Sequence, residues 1–118
     1  MERLQNFIDG AWRPSSAQET LNVVNPASAK VLAEVPLSTA ADVNAAVEAA
    51  ERAFIGWRRT PVSERVQPLF KLKTLLEQHC EEIALAITDE CGKTLAESRA
   101  EIVRAVENVE TALSLIHI

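Results

Sequence analysis

Two hydrophobic periods divide the chain near residue 37. The first stretch holds short apolar runs separated by turn residues. Asn6-Phe7-Ile8 and Ala11-Trp12-Arg13 flank Asp9-Gly10. That pair reaches positive φ at little cost and predicts a two-residue hairpin turn. Pro14-Ser15-Ser16 breaks the second run. Leu21-Asn22-Val23-Val24 is rich in β-branched residues and stops at Asn25-Pro26, because proline disfavours helix at the residue before it. Lys30 to Val35 predicts a further strand, closed by Pro36. Short strands of this kind need a partner surface on which to bury a face.

From Ser38 the period is helical. Val43, Val47, Ala50, Phe54 and Trp57 fall on one stripe of an α-helix. Thr39 is placed to cap it, with Asp42 three residues on as the acidic member of a capping box. Arg58-Arg59-Thr60-Pro61 ends this helix and offers a new cap with proline at the first helical position. The second run carries Val66, Leu69, Phe70, Leu72, Leu75, Leu76, Ile83, Ala84 and Ile87. Pro68 inside a helix would cost about 3 kcal/mol, so this helix either starts near Gln67, the favoured reading, or bends in its first turn. Gly92 suits the left-handed position that closes it after Cys91. Thr94-Leu95-Ala96-Glu97 is a capping box for a third helix, whose apolar positions are Leu95, Ile102, Val106, Val109 and Leu113. Short connections between helices predict antiparallel neighbours.

The composition keeps this a globular chain and narrows its partners. It has 118 residues, 47% hydrophobic and 25% charged, with a net charge of −5. Nucleic acid and anionic membranes select a basic face, so neither is an expected partner. No apolar run approaches the length of a spanning helix. The polar start, Met1 to Asn6, lacks the apolar core of a secretory signal. Two cysteines make no disulfide scaffold, and a cytoplasmic location is expected. The three glycines, Gly10, Gly56 and Gly92, are scattered. A phosphate- or dinucleotide-binding loop uses glycines in a cluster, so no complete nucleotide loop is present.

Few residues are candidates for chemistry. Cys80 and Cys91 on one helix would lie about 16 Å apart, too far to share a metal or a disulfide. Cys91 at a helix C-terminus would also meet an unfavourable macrodipole. Both read as small structural thiols. Gly92-Lys93-Thr94 resembles the end of a Walker A loop, but the glycine needed five positions earlier is Ile87. A helix stop followed by a helix start accounts for it. The same-face pairs of His79, such as that with Glu82, supply at most two ligands, and it reads as a solvated face. His117 lies in a terminus expected to fray. Asp89, Glu90, Glu97, Glu101, Glu107 and Glu110 alternate with Lys93, Arg99 and Arg104 as an exposed ionic surface. Trp12 and Trp57 are expected to fill gaps against neighbouring structure. No catalytic, cofactor-binding or metal-binding residue is assigned.

The order of the pieces resembles the N-terminal region of an aldehyde dehydrogenase. The resemblance is carried by Asn6 to Trp12, Val24-Asn25-Pro26-Ala27, Val31 to Pro36, Ala41 to Val47, the Phe54 and Trp57 pair, and Glu90 to Glu97. It covers residues 5 to 112. Phe70-Lys71-Leu72-Lys73 and the Glu90 to Thr94 stretch are most similar to the CoA-acylating malonate- and methylmalonate-semialdehyde branch.

The resemblance implies an α/β family fold, of which this chain is mostly α: an N-terminal β-hairpin and short strands, then three antiparallel helices. It implies a β-rich arm at residues 1–36 and the helical part of an incomplete NAD-binding domain at 37–112. An atypical tail at 113–118 departs from the family pattern. A truncated gene model or a chimeric end would explain that departure. The implied reaction is thiolate attack on a small-molecule aldehyde, hydride transfer to NAD, and release of the acyl group to water or CoA. Neither Cys80 nor Cys91 matches the family nucleophile, so the chain alone is expected to be inactive. A dimer or tetramer of identical subunits is implied for the complete enzyme. Some relatives hold a structural monovalent cation, and the matching positions are Val23, Val24 and Glu101; no site is assigned to them. The alternative is an independent helical interaction or dimerisation module built on the stripe from Val43 to Trp57.

Overall fold

The computed structural model describes residues 2–114. The chain forms two compact units, Met1–Arg59 and Thr60–Ile118. The change of hydrophobic period falls earlier, near residue 37, so the first unit includes a helix as well as the strands.

In the first unit, β1 (Asn6–Ile8) and β2 (Ala11–Arg13) pair antiparallel, with Phe7 opposite Trp12. Asp9 and Gly10 both take positive φ, 55° and 74°, as the hairpin turn requires. β3 (Thr20–Val24) and β4 (Val31–Pro36) form a second antiparallel pair, bulged at Val23/Val24. The loop between them is set by Asn25. Its side-chain oxygen accepts from the backbone N–H groups of Ala27 and Ser28 at 3.0 and 3.1 Å, the local bonding that lets Asn organise turns. The segment before β1 runs alongside β4: Leu4 N–H donates to the Glu34 carbonyl at 2.8 Å, and Glu34 N–H to the Glu2 carbonyl at 2.9 Å.

Helix α1 (Ala40–Trp57) starts at the predicted Thr39 cap, with both halves of the capping box formed. The face it turns to its own unit is not the bulky stripe. Ala49 is buried, and a shallow groove of about 330 Å³ runs between the β1–β2 hairpin and Ala46, Ala49, Ala50 and Ala53. Alanines let the hairpin backbone approach closely. Val43, Val47, Phe54 and Trp57 remain about half exposed, at 55, 55, 56 and 47%.

The second unit is helical: α2 (Val62–Arg65), α3 (Gln67–Gln78), α4 (Cys80–Cys91) and α5 (Leu95–Ser114). The expected start at Gln67 holds, with Pro68 in the first turn, where its missing N–H costs no helical bond. Two details differ from the sequence reading. Pro61 itself occupies the cap position of α2 and makes no side-chain cap bond, so Thr60 does not cap it. The expected second helix is divided at His79, whose φ of −101° and ψ of 17° leave the helical region. His79 and Cys80 are among the weaker helix formers. Neither proline nor glycine marks the break.

Both α3 and α4 pack on α5. The centre of the unit is formed by Ala84, Ser98 and Ile102, which are 0, 0 and 3% exposed. Small residues on facing helices bring α4 and α5 together, and the Ser98 and Thr88 hydroxyls satisfy each other at 2.9 Å. The predicted stripe of α5 is the packed one: Leu95, Val106, Val109 and Leu113 are half-buried around Ile102. The connection Gly92–Thr94 begins with Gly92 at φ 70°, the left-handed closure expected of it.

Candidate functional site

Helix N-termini are where this architecture would receive an anion, since their first N–H groups lack intrahelical partners. Both long capped helices have filled these positions from within. At α1, Asp42 accepts from Thr39 N–H at 2.8 Å, Ser16 N–H at 3.0 Å and the Ser15 hydroxyl at 2.7 Å. These bonds, the Ser16 N–H foremost, hold its carboxyl well below the usual carboxylate range. At α5, Glu97 accepts from the Thr94 hydroxyl at 2.8 Å and the Thr94 N–H at 3.1 Å. Its pKa is lowered, chiefly by the hydroxyl bond.

Gly92-Lys93-Thr94 is therefore a helix stop and start. The Thr94 N–H that a phosphate would need is taken by Glu97, and Lys93 is bound to Glu101. That bond raises the Lys93 pKa. Gly10 lies in the hairpin turn and Gly56 inside α1. The described residues do not form a dinucleotide cradle. Glu101 also has Arg104 at 3.8 Å, so cationic side chains already face its carboxylate.

The two cysteines open and close α4, at opposite ends of one helix. Both are free thiols, Cys80 half-buried and Cys91 exposed. Cys80 lines an open cleft of about 390 Å³ with Ile102, Val103 and Val106 on its apolar side and Glu77, Glu107 and Glu110 around it. Lys73 bridges Glu77 and Glu110 at 2.6 and 3.4 Å. No histidine lines this cleft. His79 meets Glu82, with Nδ1 2.9 Å from the carboxylate. Among the described residues no group of three His, Cys, Asp or Glu side chains could hold a metal ion. His117 lies outside the described residues.

Further charged side chains form exposed pairs. Glu81 and Arg99 make a two-pronged contact at 2.8 and 2.7 Å between α4 and α5, and it lowers the Glu81 pKa. Trp12 is 68% exposed, in edge-to-face contact with Phe7 at 5.1 Å, so it fills no gap within its unit. The residue whose reach the sequence did not reveal is Asp42. Its capping role was legible, but Ser15 and Ser16 lie far back in the chain and no periodicity links them to it. Among the described residues no helix is long and apolar enough to cross a membrane.

This order of hairpin, strand pair, capped helix and helical unit has a known counterpart. The sequence model of the aldehyde dehydrogenase family matches residues 12–117. The chain belongs to that family. Malonate-semialdehyde dehydrogenase 2 of Oceanobacillus iheyensis is 45% identical over 112 residues, 95% of this chain and 23% of the relative. Malonate-semialdehyde dehydrogenase 1 of Geobacillus kaustophilus is 48% identical over 109 residues, 92% of this chain and 22% of the relative.

Solved aldehyde dehydrogenases share the arrangement. The methylmalonate-semialdehyde dehydrogenase of Oceanimonas doudoroffii superposes with a TM-score of 0.90 at 36% identity, covering 95% of this chain and 23% of its own. Aldehyde dehydrogenase C of Pseudomonas syringae, solved as a mutant with NAD+ and octanal, gives 0.92 at 36% identity over 98% of this chain and 24% of its own. The chain thus spans under a quarter of the length of these relatives. The mostly helical layout with short antiparallel strand pairs agrees with the fold expected from the sequence.

Proposed function

We propose that this chain is the N-terminal segment of an NAD-dependent aldehyde dehydrogenase that oxidises malonate or methylmalonate semialdehyde and transfers the acyl group to CoA. The observation that carries this reading is the 45% identity to a malonate-semialdehyde dehydrogenase across 95% of the chain. The superposition on a methylmalonate-semialdehyde dehydrogenase supports the same branch. Use of NAD is supported by the related enzyme solved with NAD+.

The catalytic nucleophile, the acid–base groups and the cofactor contacts belong to parts of the enzyme outside these residues. In support, both capped helix N-termini are filled by their own carboxylates, and no histidine lines the cleft that Cys80 borders. What this chain contributes is shape. Residues 1–36 form the β-rich arm, 37–112 are the helical part of the cofactor-binding domain, and 113–118 are an atypical tail. The tail lies, beyond Ser114, outside the described residues. The complete enzyme is a cytoplasmic homo-oligomer acting on a small-molecule aldehyde, with neither nucleic acid nor membrane as partner.

Titration of the 118-residue chain with NAD by calorimetry tests this assignment of roles. No saturable heat is expected. Saturable binding would overturn the placement of the cofactor contacts outside these residues.

A further inference from the structure

We draw no further inference here: the strongest candidate, the half-exposed apolar stripe of α1 formed by Val43, Val47, Phe54 and Trp57, is an unpartnered helix face, and nothing in the structure shows what covers it.

Discussion

The Ser15 hydroxyl donates to the Asp42 carboxylate at 2.7 Å across 27 positions of sequence. The same carboxylate caps α1 through Thr39 N–H. One side chain therefore starts the helix and fastens the segment leaving β2 to it. Replacing it with Asp42→Asn keeps the shape but weakens the charge-assisted acceptor. The expected outcome is faster hydrogen exchange at Ser16 N–H and a lower melting temperature, with Asp42→Ala stronger in both. Unchanged exchange at Ser16 would contradict the fastening role.

Acid should act through the same group and its counterparts. Asp42, Glu81 and Glu97 all have folded-state pKa values below their ordinary ones. The unfolded chain then binds more protons in the acidic range, so their stabilisation is present above the ordinary carboxylate pKa, about 4. It is lost as the pH falls through the folded values. Lys93 behaves in the opposite sense, because its pKa is raised by Glu101. Its contribution is complete below the ordinary lysine value, about 10.4, and is lost as the pH rises through the folded value. Thermal melts should show a plateau with declines at both ends. Glu81→Gln with Glu97→Gln should flatten the acid limb.

The α4–α5 contact depends on side-chain size at Ser98, which is fully buried. Ser98→Leu should destabilise the helical unit by about 2–3 kcal/mol through overpacking, more than the loss of a hydroxyl. Ser98→Ala should cost about 1 kcal/mol, since it removes the partner of the Thr88 hydroxyl and leaves the volume almost unchanged. Urea titrations followed by circular dichroism distinguish the two. Equal effects would contradict the packing account.

Gly92 closes α4 at φ 70°, where a side chain meets its own backbone. Gly92→Ala should cost roughly 1–2 kcal/mol, whereas Gly92→Asn should recover part of it because asparagine tolerates this region. Chemical denaturation of both variants checks the order.

The features legible in the sequence were those decided by neighbouring residues. The Asp9-Gly10 turn, the boxes at Thr39 and Thr94, the late start at Gln67 and the stop at Gly92 all depend on side chains a few positions apart. The break at His79 was not legible, because the apolar spacing continues across it and no breaker residue stands there. The stripe of α1 was found, but not the face that packs. Periodicity locates large apolar residues, while the hairpin approaches the helix where alanines leave room. The candidate site followed the same rule. Residues that cap helices could be recognised locally, and the link from Ser15 to Asp42 could not.

The uncovered stripe carries its own expectation. The 118-residue chain should bind a fluorescent apolar dye such as anilinonaphthalene sulfonate, as exposed apolar patches do. Val47→Gln with Phe54→Gln should reduce the signal while leaving the helical circular dichroism in place. An unchanged signal would mean that the dye reports another surface.

Exchanging the segment within a complete enzyme tests whether this chain is the first part of a semialdehyde dehydrogenase. Residues 5–112 would replace the matching stretch of the Geobacillus kaustophilus malonate-semialdehyde dehydrogenase, a relative 48% identical over 109 residues. The measurement is NADH formation from malonate semialdehyde in the presence of NAD and CoA. A soluble chimaera that produces NADH and acyl-CoA together is expected. A chimaera that fails to assemble, or that folds and binds NAD yet forms no NADH, would contradict it.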